Sequence, residues 1–455
     1  MRFTLPKDTV IAAKVIKDAI DYNEIRRKRF DLLDSYYIGQ QAIMEREKPD
    51  LLRNNKVMVN HAKYIVDTNV GYLLGNPVEY QAAERYDISP VLDIYKKQTI
   101  SDLDSEIAKN CAIFGMQYEY VFANEESEPE SAELDSRNTI IVYDNTIKHN
   151  KLFAVNYRPV FNKPTDTTPD HFDVLVMDAK KISYYTLKDG TLSKYQEDQL
   201  HVFEEVPVIE YVNNMDYLGD FEPVISLIDA YNIILSDRVN DREQLVDAIL
   251  CFYGMHFDAT QMDELKLHRA LSNIPADGKV EYLTKQISET DVDVLRQNIE
   301  QDIHKISMVP NLSDENFVGN ASGVAIRYKL LTFEQAVKNK ERYFEKGLME
   351  RFELYTNFLA VKSQMTKVKP EQVDAVFKRN LPSNDLETSQ IINNLTGIVD
   401  KELLVAQLSF VKDASETIKI AEQEEKEYLA DSQEYAANDF ADKNKEKDGD
   451  QEKDK

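Results

Sequence analysis

Between Val224 and Tyr253, nine side chains step by 4, 3, 4, 4, 3, 4, 3 and 4 residues. They are Val224, Ile228, Tyr231, Leu235, Val239, Arg242, Val246, Ile249 and Tyr253, and Arg242 is the only polar member. Their mean spacing is the α-helical repeat, so this stretch predicts one helix running to Gly254. A second stripe, Val292, Leu295, Ile299, Ile303 and Ile306, predicts another helix that Pro310 closes. Between the two lies a small insert, residues 255–287, with a short helix "DELKLHRAL", a turn "NIPADG" and a strand "KVEYLTK". A third helical pattern covers Ser322–Lys362, which would span about 60 Å if straight at about 1.5 Å per residue. That exceeds what a compact domain needs. The pattern therefore predicts an elongated body or a part of a larger assembly, with a two-helix stalk capped at its tip.

Upstream, residues 8–46 read as helices carrying a basic cluster "IRRKRF", whose simplest reading is a solvated face. "HAKYIVDTNVGYLL" is a helix stopped by Gly75-Asn76-Pro77. "DLDSEIAKNCAIFGMQYEYVFA" reads as helix, glycine, strand. From 138 to 212, β-branched and aromatic runs such as "NTIIVYD", "LFAVNYRPVF", "HFDVLVMD" and "VPVIEYV" alternate with polar turns. The first half thus predicts an α+β body with a mostly antiparallel sheet. After 370 come one strand and short helices. Residues 421–455 hold 13 acidic and 6 basic side chains, and from about 432 they read as a disordered acidic tail.

The net charge of −26 argues against tight nucleic-acid binding, which needs Lys and Arg to neutralise phosphates. It does not exclude a protein that lets nucleic acid pass without holding it. Cys111 and Cys251 sit in apolar runs and read as buried free thiols of a reducing compartment. The first twenty residues lack the apolar core of a signal peptide, and the longest apolar run, 248–255, is far short of the roughly eighteen residues that cross a bilayer. These features predict a soluble intracellular product without membrane contact.

The glycines of "GNASGVA" (319–325) invite comparison with phosphate-binding loops. A P-loop needs four residues between its glycines and a Lys after the second; here there are three and no Lys. A dinucleotide fingerprint follows a strand, whereas this loop follows a predicted helix. Ser322 is one place from the centre that a nucleophile elbow requires. A local reading suffices, with Asn320 or Ser322 capping the next helix. The seven histidines lack metal-ligand spacing, and His256-x-Asp258 is explained by a surface turn. We find no catalytic constellation, no metal set and no cofactor motif, and expect no enzymatic activity.

Four stretches resemble one family. They are "NHAKYIVDTNVGYLLGNPVEY" (60–80), "VPVIEYVNNMDYLGDFEPVISLIDAYNIILSDRVNDREQLVDAILCFYG" (206–254), "NASGVAIRYKLLTFEQAVKNKERYFEKGL" (320–348) and "FKRNLPSNDLETSQIINNLTGIVDKELL" (377–404). They are similar, in family order, to the portal proteins of long-tailed bacteriophages, in the branch typical of phages of Gram-positive bacteria. The similarity covers most of residues 20–425.

The resemblance implies an α+β, mainly helical subunit: a wing (1–221 and 322–383), stem helices at 222–254 and 288–310, a clip at 255–287, a tunnel loop at 311–321 and a helical crown at 384–431. It implies a homo-oligomeric ring, typically of twelve subunits, at one capsid vertex of the virion, assembled in the host cytoplasm, through which double-stranded DNA is packaged and ejected. Implied partners are the terminase large subunit, the major capsid and scaffolding proteins and a head-completion connector protein. The motor ATPase would be separate, since no Walker A motif is present. The implied DNA-facing residues are Asn311, Ser313, Asp314, Glu315, Asn316, Gly319, Asn320 and Ser322, with Arg327 and Lys329 behind them. Glu264, Lys266 and Arg269 are the implied terminase-docking residues of the clip. The competing reading is a non-viral structural ring or coiled-coil scaffold.

Overall fold

A computed structural model describes residues 2–50, 52–83, 86–246, 249–254, 278–283, 289–312, 328–379 and 385–408, with a few positions up to 426. It divides into two units, 1–380 and 381–455.

The first unit begins with strand β1 (Phe3–Leu5), helix α1 (Ala13–Tyr37) and a 3-10 turn at Ala42–Glu45, followed by α2 (His61–Leu74) and β2 (Glu79–Ala82). Then come α3 (Ser89–Lys97), α4 (Ile100–Phe114) and β3 (Met116–Ala123). Gly115 makes the turn between the last two with φ of +84°. A Cβ there would lie 2.1 Å from the Tyr217 carbonyl oxygen, so only glycine fits. Strands follow at β4 (Pro129–Leu134), β5 (Thr139–Asp144), β6 (Lys151–Val160), β7 (His171–Met177), β8 (Lys181–Lys188), β9 (Thr191–Leu200) and β10 (Val208–Val212).

As expected, the 138–200 region is antiparallel throughout; β1 adds to its edge as the single parallel pairing, giving the order β1-β5-β6-β7-β8-β9. β10 does not join it, but pairs with β3 in the sheet β10-β3-β4. One face of α1, through Ile16, Ala19 and Ile20, closes the larger sheet over Ile140, Val142, Phe153 and Val155. The main core gathers α2, α4, β3, β10 and the long helix described below.

The stripe that opened at Val224 is a shorter helix than its periodicity predicts. Helix α5 covers Ile225–Val246, and Ile249–Tyr253 is a strand, β11, antiparallel to β12 (Lys279–Leu283). A short apolar run fits both a helical stripe and a paired strand, and here cross-strand pairing prevails. The second stripe forms α6 (Glu289–Ser307). Helix α7 spans Leu331–Val361; Tyr328 and Lys329 are helical, but Leu330 interrupts them, so the expected 41-residue run is not continuous. Strand β13 (Val373–Val376) returns to pair with β2. The second unit contains α8 (Asp385–Leu395) and α9 (Lys401–Val405). Neither cysteine is in a disulfide; Cys111 is buried as expected, whereas Cys251 is only half-buried. The residues read as an acidic tail lie outside the described ones.

Candidate functional site: the root of the stem

Helices α5 and α6 pack against each other, joined by an ion pair between Arg238 and Asp293. Arg296 reaches Glu300 at 2.9 Å and the Tyr231 hydroxyl at 3.4 Å. At the N-terminal end of α5, Val224, Ile228 and Tyr231 are buried, as is Ile303 of α6. Further along, the apolar stripe leaves the core: Val239 and Leu295 are both exposed.

The side of α5 that does stay covered is polar. Asn232, Ser236 and Asn240 are all buried and lie four residues apart, on one face of the helix. An extended strap, residues 53–60, runs against them. The Val59 backbone N–H donates to Asn232 Oδ1 at 2.9 Å, Val57 N–H to Ser236 Oγ at 2.9 Å, and Asn55 N–H to Asn240 Oδ1 at 2.7 Å. The strap advances two residues for each helical step of four. Two extended residues and four helical ones both rise about 6 Å, so every rung closes. Each amide is one that no sheet satisfies, and a buried amide without a partner is costly. Asn232 also donates to Gln41 Oε1 at 2.6 Å, and Gln41 donates to Asn60 Oδ1 at 3.2 Å. Asn60 in turn caps α2 by accepting from the Lys63 N–H.

Helix α2 faces the far end of α6. Tyr231, His61, His304 and Tyr64 form an edge-to-face series with ring centroids 4.8, 5.9 and 5.6 Å apart. His61 Nε2 has no hydrogen-bond partner, and burial, reinforced by His304, pushes the His61 imidazole down to about 4. His304 Nδ1 lies 3.0 Å from the Val309 carbonyl oxygen, a contact that requires the proton on Nδ1. Met308 turns the chain out of α6 with φ of +59°. The Tyr64 hydroxyl donates to the Pro310 carbonyl at 2.9 Å and accepts from the Leu312 N–H at 3.0 Å.

Of the residues implied to face DNA, Asn311 lies at this root, where its side-chain amide donates to Glu300 Oε1 at 3.2 Å. Lys329 lies in the helical turn before Leu330. Ser313, Asp314, Glu315, Asn316, Gly319, Asn320, Ser322 and Arg327 lie outside the described residues, as do Glu264, Lys266 and Arg269. Sequence reasoning passed over Tyr64, His61 and His304, which no motif marks. It also passed over the polar rungs of α5, although "NIILSDRVN" (232–240) shows them at four-residue spacing. Among the described residues, no group of His, Cys, Asp and Glu could hold a metal ion, and no helix is long and apolar enough to cross a membrane.

Known proteins share similarity with this chain over most of its length. The portal protein of Bacillus phage SPP1 is 25% identical over 430 residues, covering 89% of this chain and 82% of the relative. The portal protein of Clostridium phage phiCD119 is 22% identical over 462 residues, covering 90% of this chain and 96% of the relative. A chain in the neck of an empty gene transfer agent particle superposes with a TM-score of 0.45 at 12% identity, over 79% of this chain and 89% of that one. The family described as "Phage portal protein, SPP1 Gp6-like" matches residues 16–438. With that match running from the first helix to beyond the last described residue, the chain belongs to the SPP1 Gp6-like family of phage portal proteins.

Proposed function

We propose that the chain is one subunit of a ring at a capsid vertex, forming the channel through which double-stranded DNA enters and leaves the virion. The geometric observation that carries this reading is the stem pair. Ile233 and Val239 on α5 and Val294 and Leu295 on α6 are 39–51% exposed in the single chain. Exposed large apolar side chains on a helix pair mark a surface that another copy covers. Head-to-tail contacts of this kind close into a ring when the rotation per subunit divides the circle. Twelve copies is the expected number.

The test replaces Val239 and Leu295 with aspartate. Native mass spectrometry should then find a folded monomer where the unaltered chain forms a closed ring; rings that survive both substitutions place the interface elsewhere.

Within this reading, α5 and α6 are the stem, 255–287 the clip that meets the terminase, 311–321 the tunnel loop and 384–431 the crown. The loop reading is supported by composition: Asp314 and Glu315 repel a polyanion, and no Lys occurs between 310 and 320. Arg327 and Lys329 would supply transient phosphate contacts behind that acidic rim. Lysine at both 314 and 315 should slow DNA passage at low salt and recover at high salt; unchanged velocity removes the charge argument. Changing Glu264, Lys266 and Arg269 together should weaken terminase docking with the ring intact, and docking that persists means another surface serves. Capsid, scaffolding and connector proteins would meet the remaining faces of the ring.

A further inference from the structure

We propose that α2 is the pedestal for the chain that flanks 313–327, with Tyr64 holding Pro310–Leu312 before it and Tyr72 holding the first turn of α7 after it. What that segment does rests on the portal reading; how it is held does not.

The first end is bracketed. One hydroxyl, that of Tyr64, donates to the carbonyl of Pro310 and accepts from the N–H of Leu312, at 2.9 and 3.0 Å. A phenol has one proton and two lone pairs, so both bonds form at once and fix the backbone on either side of Asn311. Neighbouring groups leave this bracket no slack. Val309 is buried, its carbonyl is met by His304, and the Asn311 side chain is tied to Glu300 on α6. The Tyr64 ring stands edge-on to His304, which sets the position of the hydroxyl.

The second end is held two turns further along α2. The Tyr72 hydroxyl donates to Glu334 Oε2 at 2.6 Å, in the first turn of α7. Arg379 reaches the same carboxylate at 3.1 and 3.2 Å, and the Tyr72 ring packs on Phe333 with centroids 4.7 Å apart. Residues eight apart are separated by about 12 Å along a helix axis and about 80° around it. The described chain on either side of 313–327, at Pro310–Leu312 and at Glu334, is therefore held to one helix, and the spacing of two tyrosines on α2 fixes the separation of these anchors.

Tyr64 and Tyr72 are thus positioning residues for whatever 313–327 meets. Neither carries a charge toward the channel, and both act through the backbone or through Glu334.

Hydrogen exchange by mass spectrometry, with fragmentation that resolves single amides, tests this on the full-length assembled protein. In the unaltered chain the Leu312 amide should exchange at least tenfold more slowly than an unprotected amide; free exchange there overturns the proposal without any variant. Tyr64→Phe keeps the ring and its contact with His304 but removes the bracket. It should speed Leu312 exchange by about tenfold, leave Tm within a degree or two, and leave amides 331–336 unchanged. Tyr72→Phe should loosen 331–336 and spare Leu312. Equal protection at Leu312 in Tyr64→Phe and the unaltered chain also overturns it. If Leu312 is released while DNA retention by assembled particles is unaffected, the pedestal stands and the reading of the segment as channel lining fails.

Discussion

Helix α7 packs into the main core through Phe344, Leu348, Phe352, Tyr355 and Leu359, whereas α5 meets the strap through Asn232, Ser236 and Asn240. Both faces are buried, but the physical means differ. An apolar face is non-directional and tolerates small shifts, since burial depends on area. A ladder of backbone amides fixes axial position and rotation together, since each bond has a length and an angle. Helix α7 is thus seated in a packed core with a buried polar lock, and the α5–α6 root is a joint in which the polar ladder adds to apolar burial by Ile228, Tyr231 and Ile303. In the wing the lock is Arg351, fully buried, donating to Glu119 Oε1 at 2.7 Å and Asp104 Oδ1 at 2.6 Å. The Tyr211 hydroxyl completes it by donating to Glu119 Oε2 at 2.6 Å.

The largest effect should come from breaking that lock. Arg351→Met leaves two carboxylates buried without their cation and should cost about 3–5 kcal/mol in denaturant unfolding. A loss below about 1 kcal/mol would mean that α7 is held by its apolar face alone.

The joint should be sensitive to acid. The His61 imidazole titrates near 4 when folded and near its ordinary 6.5 when unfolded, so the unfolded chain binds the extra proton between those values. Stability is therefore complete above about 6.5 and is lost as pH falls toward 4, by at most about 3 kcal/mol at about 1.36 kcal/mol per unit. His304, Glu300 and Tyr231 face the ring, and Glu300 partly opposes the shift. His61→Phe should flatten this limb of the pH profile; an unchanged slope assigns the acid sensitivity elsewhere.

Removing one rung is next in size. Asn232→Ala strands the Val59 N–H and Gln41 Oε1, at about 1–3 kcal/mol. If the strap's amides at 55, 57 and 59 keep their exchange protection in this variant, the rungs are independent and the joint is no ladder.

The smallest effect separates two glycines by sign. A Cβ at Gly347 would fall 2.4 Å from the buried ring of Tyr211, so Gly347→Ala should destabilise despite alanine's better helix propensity. At Gly71 of α2 nothing lies within 4 Å, and alanine should stabilise by about 0.5–1 kcal/mol. Identical signs in thermal melts would mean that the approach of α7 to β10 is looser than described.

The wing was the more legible region. Its alternating strands, the helix–Gly115–strand unit and the apolar rows of α7 all follow from burial, which writes itself into sequence period. The stem was less legible for two physical reasons. The run after Val246 satisfied a helical period, yet β11 took its partner from residues some thirty positions away, which no local pattern records. In addition, the buried side of α5 is polar, so hydropathy pointed to Val239 when Asn240 was the covered neighbour. Arg351 looked like any helix charge, because its partners Asp104 and Glu119 sit more than 200 residues upstream.

The ladder on α5 also behaves as a vernier. Four helical residues rise about 6.0 Å and two extended ones about 6.4–6.8 Å, so the two scales drift by about 0.4–0.8 Å per rung. Over three rungs the error stays within what hydrogen bonds and slight pleating absorb. A fourth or fifth would exceed it, so the grip has a built-in length. The amide ladder ends at Asn240, and beyond it the strap reaches α5 through a side chain, Asn55 Nδ2 donating to Glu243 Oε2 at 2.7 Å, a contact that the drift of the two scales does not constrain.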